Sequence, residues 1–250
     1  MAGISVIVVA AGKSERFGGK ESKVFAKLDG QPLFLRALQL FVNREDVCQT
    51  LLVVGPQDIG QMKSKFGANI GFMGVKLIEG GTERYESVAN GLGEVSDDAE
   101  YVAIHDAARV CLAADWIDKV FEAGVKSGAA IPVTPVTSTL KHVGSDNVIT
   151  ETVSREGLHM AQTPQIFRKD VVTEAYAALK NKGPDAFGDL PLTDDAQLVT
   201  AVGNKVAVVQ GDPRNIKITT REDLKLAGAI LKVLPQKPIA RRGAFEEAQW

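Results

Sequence analysis

The residues best suited to chemistry gather after the first apolar run of the chain. Ala10-Ala11-Gly12-Lys13-Ser14-Glu15-Arg16-Phe17-Gly18-Gly19 leads into Lys20 and Lys23. Small residues let a backbone approach a phosphate closely, and loop amides and cations can then balance its charge. Two familiar phosphate loops do not fit. Counting from Gly12, the sixth position is Phe17, and Lys20 is followed by Glu21, so G-x-x-x-x-G-K-[ST] fails. Ser14 stands where a dinucleotide G-x-G-x-x-G needs its second glycine. What remains is a glycine-rich loop holding Arg16, Lys20 and Lys23, which taken alone also reads as a flexible, solvated segment.

Other polar residues stand at the ends of apolar runs. Gly80-Gly81 turns into a helical pattern with Thr82 in an N-cap position. Asp106 and Arg109 follow the run at 101–104, where a lone Asp is otherwise a helix cap or turn former. Lys217 ends a short strand-like stretch, where an exposed lysine is unremarkable without further context. His105, His142 and His159 have no metal-ligand spacing. Cys48 and Cys111 form no CxxC pair and read as free thiols of a reducing cytosol.

These residues need a scaffold, and the hydrophobic pattern supplies one. Runs at 5–10, 50–54, 75–78, 101–104 and 129–133 are apolar and β-branched, as in strands buried on both faces of a parallel sheet. Between them, 32–42, 57–66, 83–92 and 115–126 carry the three-to-four spacing of amphipathic helices. The alternation predicts an α/β fold with a doubly wound, mostly parallel, Rossmann-like sheet. Its ligands lie outside the carboxyl ends of the strands. After Val136 the pattern changes. Residues 138–143 and 147–153 read as two strands around Gly144-Ser145-Asp146, a protruding β-hairpin arm at about 137–156. Helices at 170–179, near 194–202 and at 221–231, with a strand at 206–209, complete a single domain over 1–233. Residues 234–250 form a C-terminal tail without strong periodicity.

At 250 residues the chain buries a large core without staples. Lys+Arg 29 against Asp+Glu 31 gives a net charge of −2, which argues against a nucleic-acid or membrane-surface binder. The initial apolar run is too short to cross a bilayer and lacks a basic segment before it, so a cytoplasmic location is expected.

The loop A-A-G-x-x-x-R-F, followed by Ser22-Lys23, resembles the signature loop of the 2-C-methyl-D-erythritol 4-phosphate cytidylyltransferases of isoprenoid synthesis. Five further stretches agree in order and spacing: Gly80 to Val88, His105 to Arg109, Ala161 to Gln165, Leu192 to Ala196, and Asn215 to Thr219. The resemblance covers roughly residues 4–232. It implies transfer of CMP from CTP to methylerythritol phosphate, with release of pyrophosphate. Arg16, Lys23 and Lys217 then match the cations around the α-phosphate, whose charge such a transfer must stabilise. Ala10, Ala11, Gly12, Gly81, Thr82 and Ser87 match the nucleotide's surroundings. Asp106, Arg109, Thr163 and Thr193 match the acceptor side.

The resemblance also implies Mg²⁺, held chiefly by triphosphate oxygens and water as this cation prefers, with no dedicated protein ligand set. It further implies a homodimer, in which Thr139 and Arg155 of the arm reach across to the acceptor's phosphate in the other subunit. An arginine fork suits that task, because it can take two phosphate oxygens together. Ser138 and Ser154 depart from the family's usual Asp, and Ser14 replaces a loop glycine. The nearest alternative is a ribitol 5-phosphate cytidylyltransferase, with the same chemistry on a similar polyol phosphate. A dinucleotide oxidoreductase lacks its glycine motif here. A non-enzymatic nucleotide-binding protein would have no need of Arg16, Lys23, Arg109, Arg155 and Lys217 together.

Overall fold

The computed structural model describes residues 3–12, 17–18, 22–188 and 191–235. Arg16, Lys20 and residues 236–250 of the tail lie outside these. The expected α/β fold is present, with helices on both sides of an eight-stranded sheet. Strand β1 (Ile4–Ala10) lies between β4 (Val47–Val54) and β6 (Tyr101–Asp106), parallel to both, and β5 (Lys76–Glu79) continues the sheet beyond β4. Every residue of β1 is buried. Because side chains alternate across a strand, Ile4, Val6, Val8 and Ala10 pack into one core with α1 (Leu33–Gln39), α2 (Pro56–Phe72) and α4 (Ala114–Ser127). Ile7 and Val9 enter the opposite core with α3 (Arg84–Leu92), α5 (Lys169–Lys182) and α6 (Asp195–Ala201). The continuous apolar run is what a strand covered on both faces requires.

On the other side of β6 the sheet departs from the parallel expectation. Strand β11 (Gln165–Arg168) inserts antiparallel between β6 and β7 (Ala129–Pro135). Strand β10 (His159–Ala161) also runs antiparallel along β7, and β12 (Ala207–Gln210) pairs parallel with β7. Both antiparallel strands are short, so their sequence shows too few periods to read.

The arm is a separate two-stranded sheet of β8 (Leu140–Val143) and β9 (Ile149–Val153), as the turn at Gly144 predicts. A small β2 (Lys27–Leu28) and β3 (Gln31–Pro32) hairpin precedes α1, and α7 (Arg221–Leu231) closes the described chain. Helix α2 runs to Phe72, past the expected 66, because Ile70 extends the stripe of Ile59, Met62 and Phe66 at three- and four-residue steps. Among the described residues no helix is long and apolar enough to cross a membrane.

Candidate active site

Strand β1 pairs with β4 on one side and β6 on the other, so the chain reverses its winding direction there. Ligands of doubly wound sheets bind outside the strand ends at such a switch point. A cleft of about 470 Å³ opens at this place. Its lining includes Ala10 at the end of β1 with Ala11 and Gly12 beyond it, Lys23, Thr82 before α3 and Arg84 at its start, Asp106 from β6, and Lys217.

Each wall has a local cause. Lys23 starts a single 3-10 turn, Lys23–Phe25, pinned by buried Val24 and Phe25. Across the cleft, Gly80 packs so closely that a Cβ there would lie 2.6 Å from Ser87 Oγ and 3.1 Å from Ala11 Cβ. Only glycine lets the two walls meet at that point. Lys217 lies in irregular chain between β12 and α7, not at a strand end as its pattern suggested. The Ile218 N–H bonds to the Ala108 carbonyl at 2.9 Å and holds this segment against the loop after β6 without a full ladder.

Charge concentrates on Asp106. Its Oδ2 accepts from Lys217 Nζ at 2.7 Å, and its Oδ1 accepts from Arg84 Nε at 3.2 Å. Arg109 Nε is 3.9 Å away. Burial pushes the Asp106 carboxyl up, but Arg84 and Lys217 beside it outweigh this and hold it far below the usual carboxylate range. The cleft therefore presents a fixed carboxylate that organises cations rather than a proton donor.

The family model for 2-C-methyl-D-erythritol 4-phosphate cytidylyltransferases matches residues 4–233. The chain belongs to that family. A cytidylyltransferase of Rhodopirellula baltica, so named, is 39% identical over 241 residues, covering 92% of this chain and 95% of that protein. Another from Alkaliphilus oremlandii is also 39% identical, covering 91% and 94%. The crystal structure of the Thermus thermophilus 2-C-methyl-D-erythritol 4-phosphate cytidylyltransferase superposes with a TM-score of 0.75 at 34% identity, covering 93% of this chain and all of that one.

The cytidylyltransferase motifs are sorted by the structure into three groups. Ala10, Ala11, Gly12, Lys23, Thr82, Asp106 and Lys217 come together around the cleft. Ser87, Thr163 and Arg109 stand behind it, and half-buried Gly81 lies in the turn just before Thr82. The Ser87 hydroxyl is fully buried, accepts the Gly81 N–H at 3.1 Å and donates to the Glu83 carbonyl at 3.1 Å, which fixes the turn. Arg109 donates to the carbonyls of Asn215 at 2.7 Å and Ala161 at 3.3 Å, clamping three segments. Thr139 and Arg155 belong to the arm and are exposed, with Arg155 Nη1 donating to the Thr137 carbonyl. Thr193 is exposed, and its N–H bonds to Gln197 Oε1 at 3.2 Å. Thr82 is not the helix cap expected of it. Glu83 takes that position in a reciprocal capping box with Glu86, and the Thr82 hydroxyl donates to Glu86 Oε2 at 2.7 Å.

Sequence reading gave no role to Arg84, Asp195, Tyr176 and Gln165, which form a polar network beside the cleft. One signal was available. Arg84 is the first residue of α3, where a cation opposes the helix dipole and needs a local reason to be there.

His105 is completely buried beneath Asp106. Its Nε2 faces the Arg109 carbonyl at 3.0 Å, so Nε2 carries the proton. Nδ1 then accepts from the Thr163 hydroxyl at 3.1 Å, while the same hydroxyl accepts the Asp106 N–H at 3.1 Å. Burial pushes the imidazole from its usual 6.5 down to about 4. Between those values the unfolded chain binds a proton that the folded one refuses, so stability falls as pH drops from 6.5 to 4. The loss from this residue should be about 3 kcal/mol, since each tenfold change in proton affinity is worth ~1.36 kcal/mol. Asp106, held below its usual 3.8 in the fold, adds a smaller loss of the same sign at the acid end of that window, and a variant that keeps Asp106 keeps this loss. Urea unfolding at stepped pH should therefore show a steeper slope in the wild type than in His105→Gln. Equal slopes would contradict the buried neutral imidazole.

Proposed function

We propose that the protein transfers CMP from CTP to 2-C-methyl-D-erythritol 4-phosphate. A phosphate oxygen of the acceptor forms a new bond to the α-phosphorus of CTP. The bridging bond to the β-phosphate breaks, and pyrophosphate leaves with the electron pair. The attacking phosphate is already ionised near neutral pH, so no strong base is required, and the site must instead stabilise charge. The observation that carries the reading is the placement of Lys23 and Lys217 in one cleft with the small residues Ala10, Ala11 and Gly12. Arg16, by its match to the motif, joins them as a third cation. Gly81 and Thr82 form the wall for the cytidine, in the shape that Ser87 holds.

Mg²⁺ fits this reading as a companion of the triphosphate. The Asp106 carboxylate is already engaged by Arg84 and Lys217, whereas phosphate oxygens and water are the ligands this cation prefers. When bound, the ion neutralises charge on the phosphates.

The arm supports a homodimer. Val143, Val148 and Ile149 on it are 50%, 56% and 59% exposed. A lone two-stranded sheet is marginal in water, so a second copy that covers these residues stabilises it. In that dimer Thr139 and Arg155 complete the acceptor site of the other subunit, and Asp106, Arg109, Thr163 and Thr193 shape the near side. The enzyme works in the cytoplasm.

Both 2-C-methyl-D-erythritol 4-phosphate and ribitol 5-phosphate are polyol phosphates, so the test compares them directly. With CTP and Mg²⁺, pyrophosphate release should favour the methylerythritol phosphate by at least about tenfold in kcat/KM, about 1.4 kcal/mol of transition-state discrimination. A preference for ribitol 5-phosphate would overturn the acceptor assignment.

A further inference from the structure

The transfer as described makes no use of one cation in the cleft wall. Arg84 lines the cleft with a side chain that is 21% exposed, and its fork is divided between two carboxylates. Nε donates to Asp106 Oδ1 at 3.2 Å, and Nη2 donates to Asp195 Oδ2 at 2.7 Å. Asp195 is fully buried, and its other oxygen accepts the Tyr176 hydroxyl at 2.6 Å. The N–H groups of Asp195 and Ala196 bond to Gln165 Oε1 at 3.2 and 3.1 Å. The start of α6 is thereby tied to β11.

Arg84 is therefore anchored from behind by a rigid partner, while its forward branch reaches the carboxylate that holds Lys217. A planar guanidinium fixes two acceptors in set directions, which an ammonium does not. A purely structural ion pair between α3 and α6 would need Asp195 alone. The second branch, to Asp106, connects that pair to the reacting site.

We propose that Arg84 is a positioning residue for CMP transfer: clamped by Asp195, it sets the plane of the Asp106 carboxylate, whose second oxygen then holds the Lys217 ammonium at the cleft wall. The kinetic side of this rests on the cytidylyl-transfer reading, whereas the geometric side does not.

The test uses full-length Arg84→Lys, Arg84→Gln and the double variant Arg84→Gln/Asp195→Asn. The double variant removes the buried charge that Arg84→Gln would leave opposite a tyrosine hydroxyl, and so guards against a variant that fails to fold. Substrate-free crystal structures should show that the Lys217–Asp106 contact, 2.7 Å in the wild type, is lost in all three. Turnover should fall by about 100-fold, the scale of a misplacement of about 1 Å, with KM for CTP changed less than about threefold. In a Lys217→Ala background, Arg84→Gln should cost less than about threefold more, because groups acting through one another are not additive. A contact retained in the double variant overturns the proposal. So do near-normal turnover in Arg84→Lys or independent losses in Arg84→Gln/Lys217→Ala. A wild type silent with CTP and either polyol phosphate refutes the functional reading instead, and the crystal contact then decides the role of Arg84.

Discussion

Lys23→Ala and Lys217→Ala should each slow CMP transfer by about 100- to 1,000-fold, the usual cost of removing one preorganised donor from a transition-state clamp. Negative charge grows on the α-phosphate and the departing pyrophosphate as the bonds exchange. A fixed ammonium stabilises that state more than the ground state, so the loss should appear in kcat rather than in KM. Stability should change little. The side chain of Lys217 is 40% exposed, and its removal leaves Asp106 paired with Arg84. Lys23 is only half-buried, and its turn is anchored by Val24 and Phe25, which remain. Steady-state kinetics alongside thermal melts check both statements. A loss below about threefold in either variant would remove that lysine from the α-phosphate.

Mixing two inactive variants should restore activity. In the proposed dimer, Lys23→Ala damages the nucleotide half of a site, and Arg155→Ala damages the half that the arm would contribute to the other subunit. In the mixed dimer both lesions fall in one site and leave the second intact. Random exchange gives half mixed dimers, so about a quarter of wild-type turnover should return. Each homodimer should stay near its own low level. Native mass measurement confirms the exchange independently. Exchange without recovery would place Arg155 in the site of its own chain and break the shared-site arrangement.

Much of this was legible because the signals were local. The seven residues of β1 are all buried, and an unbroken apolar run declares a strand covered on both faces. Ala10, Ala11 and Gly12, Asp106 and Lys217 stand at strand ends or loops, where a doubly wound sheet gathers its ligands. The hairpin announced itself through two short strand-like stretches around the turn at Gly144-Ser145-Asp146. What escaped was long-range. Strand β11 has four residues, and its direction depends on which strands flank it, which no short stretch of sequence records. The partners Arg84 and Asp195 are 111 positions apart, and although a cation at the start of α3 asks for a local reason, nothing near it in sequence names Asp195. Ser87 and Thr163 were read as substrate contacts from their motifs. Their burial, at 0% and 4% exposed, instead puts them behind the surface, shaping the turn and orienting His105. A motif marks which residues matter, but tertiary packing decides which of them face the ligand.

Phosphorus NMR of the reaction tests most directly whether this cleft moves CMP from CTP onto the phosphate of a methylerythritol acceptor. Incubation with CTP, Mg²⁺ and 2-C-methyl-D-erythritol 4-phosphate should convert the three nucleotide signals and the acceptor's monoester signal into two sets. One is a coupled pair from the diphosphate diester, and the other is free pyrophosphate, in equal amounts. Appearance of CDP with inorganic phosphate, of CMP with an unchanged acceptor, or of no new signal would contradict the account.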